Sequence, residues 1–169
     1  MSDDKRKSFE ELVGRYGEQL YWHVRRMVVN HDDADDLVQN TFLKAWNSFD
    51  SFRNDSQAST WLYRIAYNET LDFLRKQKVR STVDADAADD ALTASLVSDP
   101  YFDGDETQRQ LQEAISRLPD VQRQVFNMRY FDEMSYKDIS EITGTSEGAL
   151  KASYHIAVKK ISEYFNNID

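Results

Sequence analysis

Residues 135–161 decide the fold of the second half of the chain, and they read SYKDISEITGTSEGALKASYHIAVKKI. Ser135 with Asp138 forms a helix-capping box. Gly144 marks a tight break, and Ser146 can cap the helix that follows it. The apolar residues of this last segment recur at helical spacing: Leu150, Tyr154, Ala157, Ile161 and Tyr164. A short helix, a glycine-containing turn and a longer helix together indicate a helix-turn-helix.

The rest of the chain follows the helical period as well. Apolar rows predict one helix from a capping box at Ser8, a second from Asp35 onward and a third over 60–80. Two further helices flank Pro119, which can occupy the first position of the second one. We find no strand pattern of period two and no internal repeat. The sequence therefore predicts an all-α protein.

The acidic charge of the chain is concentrated in one stretch. The 169 residues carry a net charge of −9, and residues 81–106 contain eight acidic and no basic side chains. A structureless segment of this length is uncommon inside a compact domain but ordinary between domains. We predict two small helical domains, at 1–80 and 107–169, joined by a flexible acidic linker at 81–106.

The composition excludes several classes of function. There is no cysteine, which rules out disulfides, thiol catalysis and cysteine-containing zinc sites. No apolar run can span a bilayer and no secretory signal is apparent, so we expect a cytoplasmic protein. Neither a glycine-rich phosphate loop nor a Ser/His/Asp set is present, so we expect no enzyme, cofactor or metal site. A metal-dependent nuclease or phosphohydrolase built on the Asp clusters remains as the enzyme alternative.

Three segments in order carry a resemblance to a known family. They are DADDLVQNTFLKAW at 33–46, FRNDS and TWLYRIAYN within 52–68, and the stretch from Leu118-Pro119 to Lys151. They resemble the sigma factors of bacterial transcription initiation, in particular the small extracytoplasmic-function type. The resemblance implies a subunit that binds core RNA polymerase and promoter DNA, with an anti-sigma factor as a possible partner. A stand-alone helix-turn-helix regulator is the alternative interpretation.

The resemblance also implies three sets of site residues. The first set docks on polymerase: Asp36, Leu37, Gln39, Phe42 and Lys44. The second set melts and reads the minus-ten promoter element or neutralises its phosphates: Phe52, Arg53, Asn54, Asn68, Arg75 and Lys76. The third set reads the minus-thirty-five element: Ser146, Glu147, Lys151, Ala152, His155 and Lys159.

The residues themselves leave some of these assignments open. The apolar stripe that includes Leu37 and Phe42 fits an internal core as well as an interface, and Trp61 is better explained as core. The reading helix also departs from the family pattern, because Ser153, Ile156 and Val158 stand where arginines are frequent. Few side chains remain that can make bidentate guanine contacts. The promoter sequence is therefore not specified.

Overall fold

The structure is a computed structural model that describes residues 2–52, 57–80, 85–99 and 104–167. Its helices are α1 (Ser2–Arg25), α2 (His31–Asn47), α3 (Ala58–Arg80), α4 (Ala85–Val97), α5 (Glu106–Ser116), α6 (Asp120–Tyr130), α7 (Tyr136–Thr143) and α8 (Glu147–Asn166), with a short 3-10 turn at Phe49–Ser51. Within the described ranges there is no strand, which confirms the all-α prediction. None of the helices described is long and apolar enough to cross a membrane.

Side-chain caps and one glycine set several of the helix boundaries, and those of the helix-turn-helix are as the sequence predicts. Asn30 caps α2, accepting a hydrogen bond from the amide of Asp33 at 2.8 Å. Ser135 and Ser146 cap α7 and α8 in the same way. Gly144 ends α7 with φ of 76°, in the left-handed region where a side chain would be strained. The helix-turn-helix therefore has the local structure expected from its sequence.

Three predicted helix boundaries are wrong, and one of them is the start of α2, which lies at His31 instead of Asp35. The first helix begins at Ser2, so Ser8 lies inside α1 and does not cap it. Asp3 and Asp4 occupy its first turn, where the helix dipole favours acidic side chains. Pro119 precedes α6 instead of opening it, because its ψ of 152° is extended and Asp120 is the first helical residue.

Helices α1, α2 and α3 form the first helical unit. Its core contains fully buried residues from each helix, among them Leu20, Ala34 and Leu62. Phe9 extends the core with edge-on contacts to Phe42, Trp46 and Phe49, whose ring centroids lie 5.2–6.3 Å away. These aromatic contacts hold the end of α2 and the following turn against α1.

Helices α5 to α8 form the second helical unit, and it docks on the first. Its own core is small: Ala114, Ile115, Leu118, Phe126, Ala157 and Ile161. Other apolar residues of the second unit join the core of the first: Val125, Met128, Met134, Ile139, Ile142 and Leu150. The two helical units are therefore packed together through one continuous apolar cluster.

The acidic segment between the units is not structureless throughout. Residues Ala85–Val97 form α4, and Leu92 and Leu96 are buried at 5% and 3% exposure. The two leucines lie one helical turn apart, so they can share a buried side even in an acidic helix. The prediction of a structureless tether is wrong for this part of the segment.

Arg25, at the end of α1, anchors α4 to the first unit. Its side chain is 2% exposed and donates hydrogen bonds to the carbonyl and hydroxyl of Ser95 at 3.0 and 2.9 Å. It also bonds the carbonyl of Val28 and lies 3.4 Å from the carboxylate of Asp99. A buried guanidinium is stable only when acceptors surround it, and Ser95 of α4 supplies two of them.

Candidate nucleic-acid and protein interfaces

The outer face of α8 presents the third set of predicted residues. Leu150, Ala157 and Ile161 are buried and fix the orientation of the helix. The predicted residues are all exposed: Ser146, Glu147, Lys151, Ala152, His155 and Lys159. A helix whose one face is fixed by packing and whose other face is polar and exposed can enter a DNA major groove.

Tyr136 joins this face although the sequence analysis did not include it. The Arg129 guanidinium lies 4.7 Å from the centre of the Tyr136 ring, and the Lys151 ammonium lies 5.8 Å from it. Arg129 also donates a hydrogen bond to the carbonyl of Met134 at 3.0 Å. The ring therefore gathers two cations at the start of the helix-turn-helix, an arrangement suited to phosphate. Only folding brings them together, so no spacing in the sequence signals this cluster.

The second set of predicted residues is only partly described. Asn68 is exposed on α3. Phe52 stacks on Trp61 with ring centroids 4.6 Å apart, and Trp61 is half-buried against the first core, as its interpretation as core predicts. Arg53 and Asn54 lie outside the described residues.

The end of α3 carries a row of exposed cations. Arg75 and Lys76 are both exposed, and Lys76 lies 3.3 Å from Asp72 one turn earlier. Lys78 instead lies 2.8 Å from Asp120 on α6, so it bridges the two units. Cations here suit both the helix dipole and a phosphate backbone.

The first set of predicted residues lies on α2 and needs one correction. Leu37 is only 5% exposed and belongs to the first core, so it is not a surface contact. Phe42 is half-buried beside Phe9. Lys44 is exposed and bonds Glu69 of α3, which raises the pKa of the lysine above its usual range.

Leu43 is the apolar surface residue of α2 that the sequence analysis missed. It is 61% exposed. Asp36 and Gln39 precede it by seven and four residues, so all three lie on one side of the helix, and both are exposed. One signal in the sequence could have indicated this exposure: Leu43 lies outside the apolar rows of the second helix. An apolar centre with polar neighbours is the usual composition of a protein interface.

Comparison with known proteins identifies the family of this chain. Residues 12–80 match Sigma-70 region 2, and residues 108–161 match Sigma-70, region 4. The ECF RNA polymerase sigma factor SigW of Bacillus subtilis is 35% identical over 156 residues, which cover 88% of this chain and 83% of SigW. The chain belongs to the ECF family of RNA polymerase sigma factors. Another relative is the ECF RNA polymerase sigma-E factor of Haemophilus influenzae, 32% identical over 155 residues, with 87% of this chain and 82% of that protein covered.

Two solved structures share this fold. The sigma factor RpoE of Bartonella quintana, in complex with the anti-sigma factor NepR, matches with a TM-score of 0.77 and 26% identity over 96% of this chain and 99% of that one. CnrH, in complex with the cytosolic domain of CnrY, has the same fold, with a TM-score of 0.73 and 24% identity over 97% and 91% of the two chains. This ECF sigma factor directs promoter-specific initiation by RNA polymerase.

Proposed function

We propose that the two helical units divide the work of initiation between them. The first unit, assigned to 1–80, docks on core polymerase and opens and reads the minus-ten element. The second, assigned to 107–169, reads the duplex minus-thirty-five element. The matches to Sigma-70 region 2 at 12–80 and region 4 at 108–161 support these bounds.

The outer face of α8 is the observation that carries the promoter-reading assignment. Lys151, His155 and Lys159 project from it at spacings of four residues and are exposed. The lysines bind phosphates, while Ala152 is small enough to approach the methyl group of a thymine. Ser146 and Glu147, at the start of α8, complete the proposed set.

The exposed side of α2 is the proposed polymerase contact. Leu43 supplies the apolar centre, and Asp36 and Gln39 supply a polar rim. Lys44 and the half-buried Phe42 lie at its edge. Leu37 supports this surface from beneath, as part of the core.

The opened minus-ten strand is assigned to α3 and the turn before it. Bases that leave a duplex need flat apolar surfaces and hydrogen-bonding groups in place of their lost partners. Phe52, stacked on Trp61, offers such a surface, and the exposed Asn68 can hydrogen-bond a base edge. Arg75 and Lys76 extend the site with positive charge for the strand backbone.

Transcription in vitro tests this proposal. The full chain is mixed with core polymerase and fragmented genomic DNA, and run-off transcripts are mapped. We expect transcripts from a defined class of promoters that share two elements. Tight binding of duplex DNA with no promoter-specific transcript would favour the stand-alone regulator. Divalent-ion-dependent turnover by the chain alone would instead support a nuclease or phosphohydrolase.

We also propose the setting in which the protein acts. It works in the cytoplasm, without chemistry of its own, and an anti-sigma factor holds it inactive. The complex of the related RpoE with NepR supports this partner. Affinity purification of the chain from its own cells should recover the anti-sigma factor, and recovery of polymerase alone would contradict the assignment.

A further inference from the structure

A largely buried polar stripe runs beside the apolar cluster in the contact between the two units. Asp120, Arg123, Gln124 and Asn127 of α6 follow one another at helical spacing on the side that faces the first unit. Gln124 and Asn127 are fully buried, and Arg123 is 5% exposed. Buried polar groups are typical of interfaces between units of one chain that move relative to each other.

Each residue of this stripe has a matched partner on the first unit. Arg123 donates to the carbonyl of Met27 at 3.2 Å, and the Gln124 amide nitrogen donates to the carbonyl of Tyr67 at 3.3 Å. The amide of Asn127 lies 3.5 Å from the sulfur of Met27. Asp120 pairs with Lys78, as described above. The match is specific, because a shift of one helical turn would break all four contacts.

Beyond the stripe, Asp132 inserts its carboxylate into a pocket of the first unit. The side chain is 5% exposed, and its oxygen lies 3.3 Å from Nδ1 of His23, which is fully buried. Nε2 of the same ring lies 3.0 Å from the amide oxygen of Gln124. The Arg26 guanidinium and the Tyr63 phenol also interact electrostatically with the Asp132 carboxylate. Burial and Asp132 both raise the pKa of the Tyr63 phenol, which stays neutral beside the carboxylate.

We infer that this pocket is a carboxylate receptor that holds the free protein closed by capturing Asp132. The contact between the two units must then open for initiation. The inference rests on the proposed assignment of the two units to two promoter elements. Those elements are separated by about 25 base pairs, or about 85 Å of B-DNA. A compact chain of this length has a radius of gyration of about 15 Å and is about 40 Å across.

The two reading surfaces are fixed side by side in the closed form. Arg64, one helical turn before Asn68 on α3, donates to the carbonyl of Glu141 on α7 at 3.0 Å. The helix α7 immediately precedes the reading helix α8. Asn68 and Lys151 are both exposed, so closure leaves each surface accessible. Closure prevents the two surfaces from reaching two distant elements at once.

Distance measurements within the full chain test the receptor. Since the chain has no cysteine, Arg15→Cys on α1 and Ser162→Cys on α8, both exposed, provide unique sites for a dye pair. In the free protein we expect one short distance. Asp132→Asn keeps the shape but removes the charge, and should raise the population of a longer distance at least tenfold. Glu133→Gln, an equal charge change at the exposed neighbour, is the matched control and should behave as wild type.

A second pair of variants covers the case in which Asp132→Asn fails to fold. Lys78→Glu should raise the open population about threefold by repelling Asp120, since an exposed ion pair contributes little on its own. Arg80→Glu makes the same charge change on the same helix and should leave the open population unchanged, because Arg80 is exposed at the end of α3.

Each outcome bears on the receptor. If each variant shows the same distance distribution as its control, the proposal that the pocket captures Asp132 is wrong. The proposal is also wrong if the wild-type chain keeps the short distance while it is bound to polymerase and promoter in a complex that makes transcript. If wild type makes no promoter-specific transcript, the proposed function fails, while the comparison of variants in the free protein still decides whether Asp132 is captured by the pocket.

Discussion

Substitutions at two leucines of α2 can distinguish a residue that contacts polymerase from one that stabilises the fold. Leu43 is 61% exposed and Leu37 only 5%. Full burial of a leucine side chain stabilises by about 1.5–3 kcal/mol. If polymerase covers the exposed part of Leu43, docking gains about 1–2 kcal/mol, so Leu43→Ala should raise the Kd about 5- to 30-fold. Its free energy of unfolding should change by no more than about 0.5 kcal/mol.

Leu37→Ala should show the opposite pattern. Removing this buried side chain leaves a cavity and should lower the free energy of unfolding by about 2–5 kcal/mol. Its Kd for core polymerase, corrected for the folded fraction, should match wild type. Urea denaturation gives the stabilities, and fluorescence anisotropy with labelled chain gives the affinities. Wild-type affinity of Leu43→Ala for polymerase would refute the assignment of this face.

Three further predictions address other parts of the chain. Lys151→Ala should weaken binding to the minus-thirty-five element and lower the slope of log affinity against log salt by about 1, as a salt titration of duplex binding will show. Arg25→Met removes the hydrogen bonds to Ser95, so it should cost about 2–4 kcal/mol and abolish hydrogen-exchange protection in α4. Burial, with a smaller effect of Asp132, raises the pKa of Tyr63 above its ordinary value of about 10. The neutral phenol therefore makes its full contribution to the free energy of unfolding below about pH 10, and this contribution is lost as the pH rises above that value. Tyr63→Phe should remove this alkaline loss of stability in denaturation series, and an unchanged pH profile would count against it.

Local signals in the sequence were sufficient for most of the helices and for the caps of the helix-turn-helix. Ser135, Gly144 and Ser146 act within one or two turns, so their roles follow from neighbouring residues alone. Exposure of the predicted residues on α8 follows for the same reason, since the apolar row fixes the opposite face. The limits of the first helix were less predictable, because Ser8 offers a cap that the longer helix does not use.

Contacts between distant segments were not predictable from spacing. Leu37 and Leu43 are equally apolar, and only the packing of α1 and α3 around α2 decides which one is buried. From spacing alone, the polar residues of α6 are expected to face solvent, but the structure buries them against the first unit. Leu92 and Leu96 likewise acquire a buried side only when α4 meets its neighbours.

The continuous apolar cluster shared by α3 and α7 has a consequence for the lifetime of an opened chain. Ile139 and Ile142 of α7 are buried together with Leu71 and Leu74 of α3. Separation divides this cluster and wets both of its sides, which favours adhesion to other apolar surfaces. The protein should therefore melt in one calorimetric transition rather than two. Off polymerase, the separated form should be short-lived and prone to self-association, so opening is best completed on the surface of the enzyme that uses it.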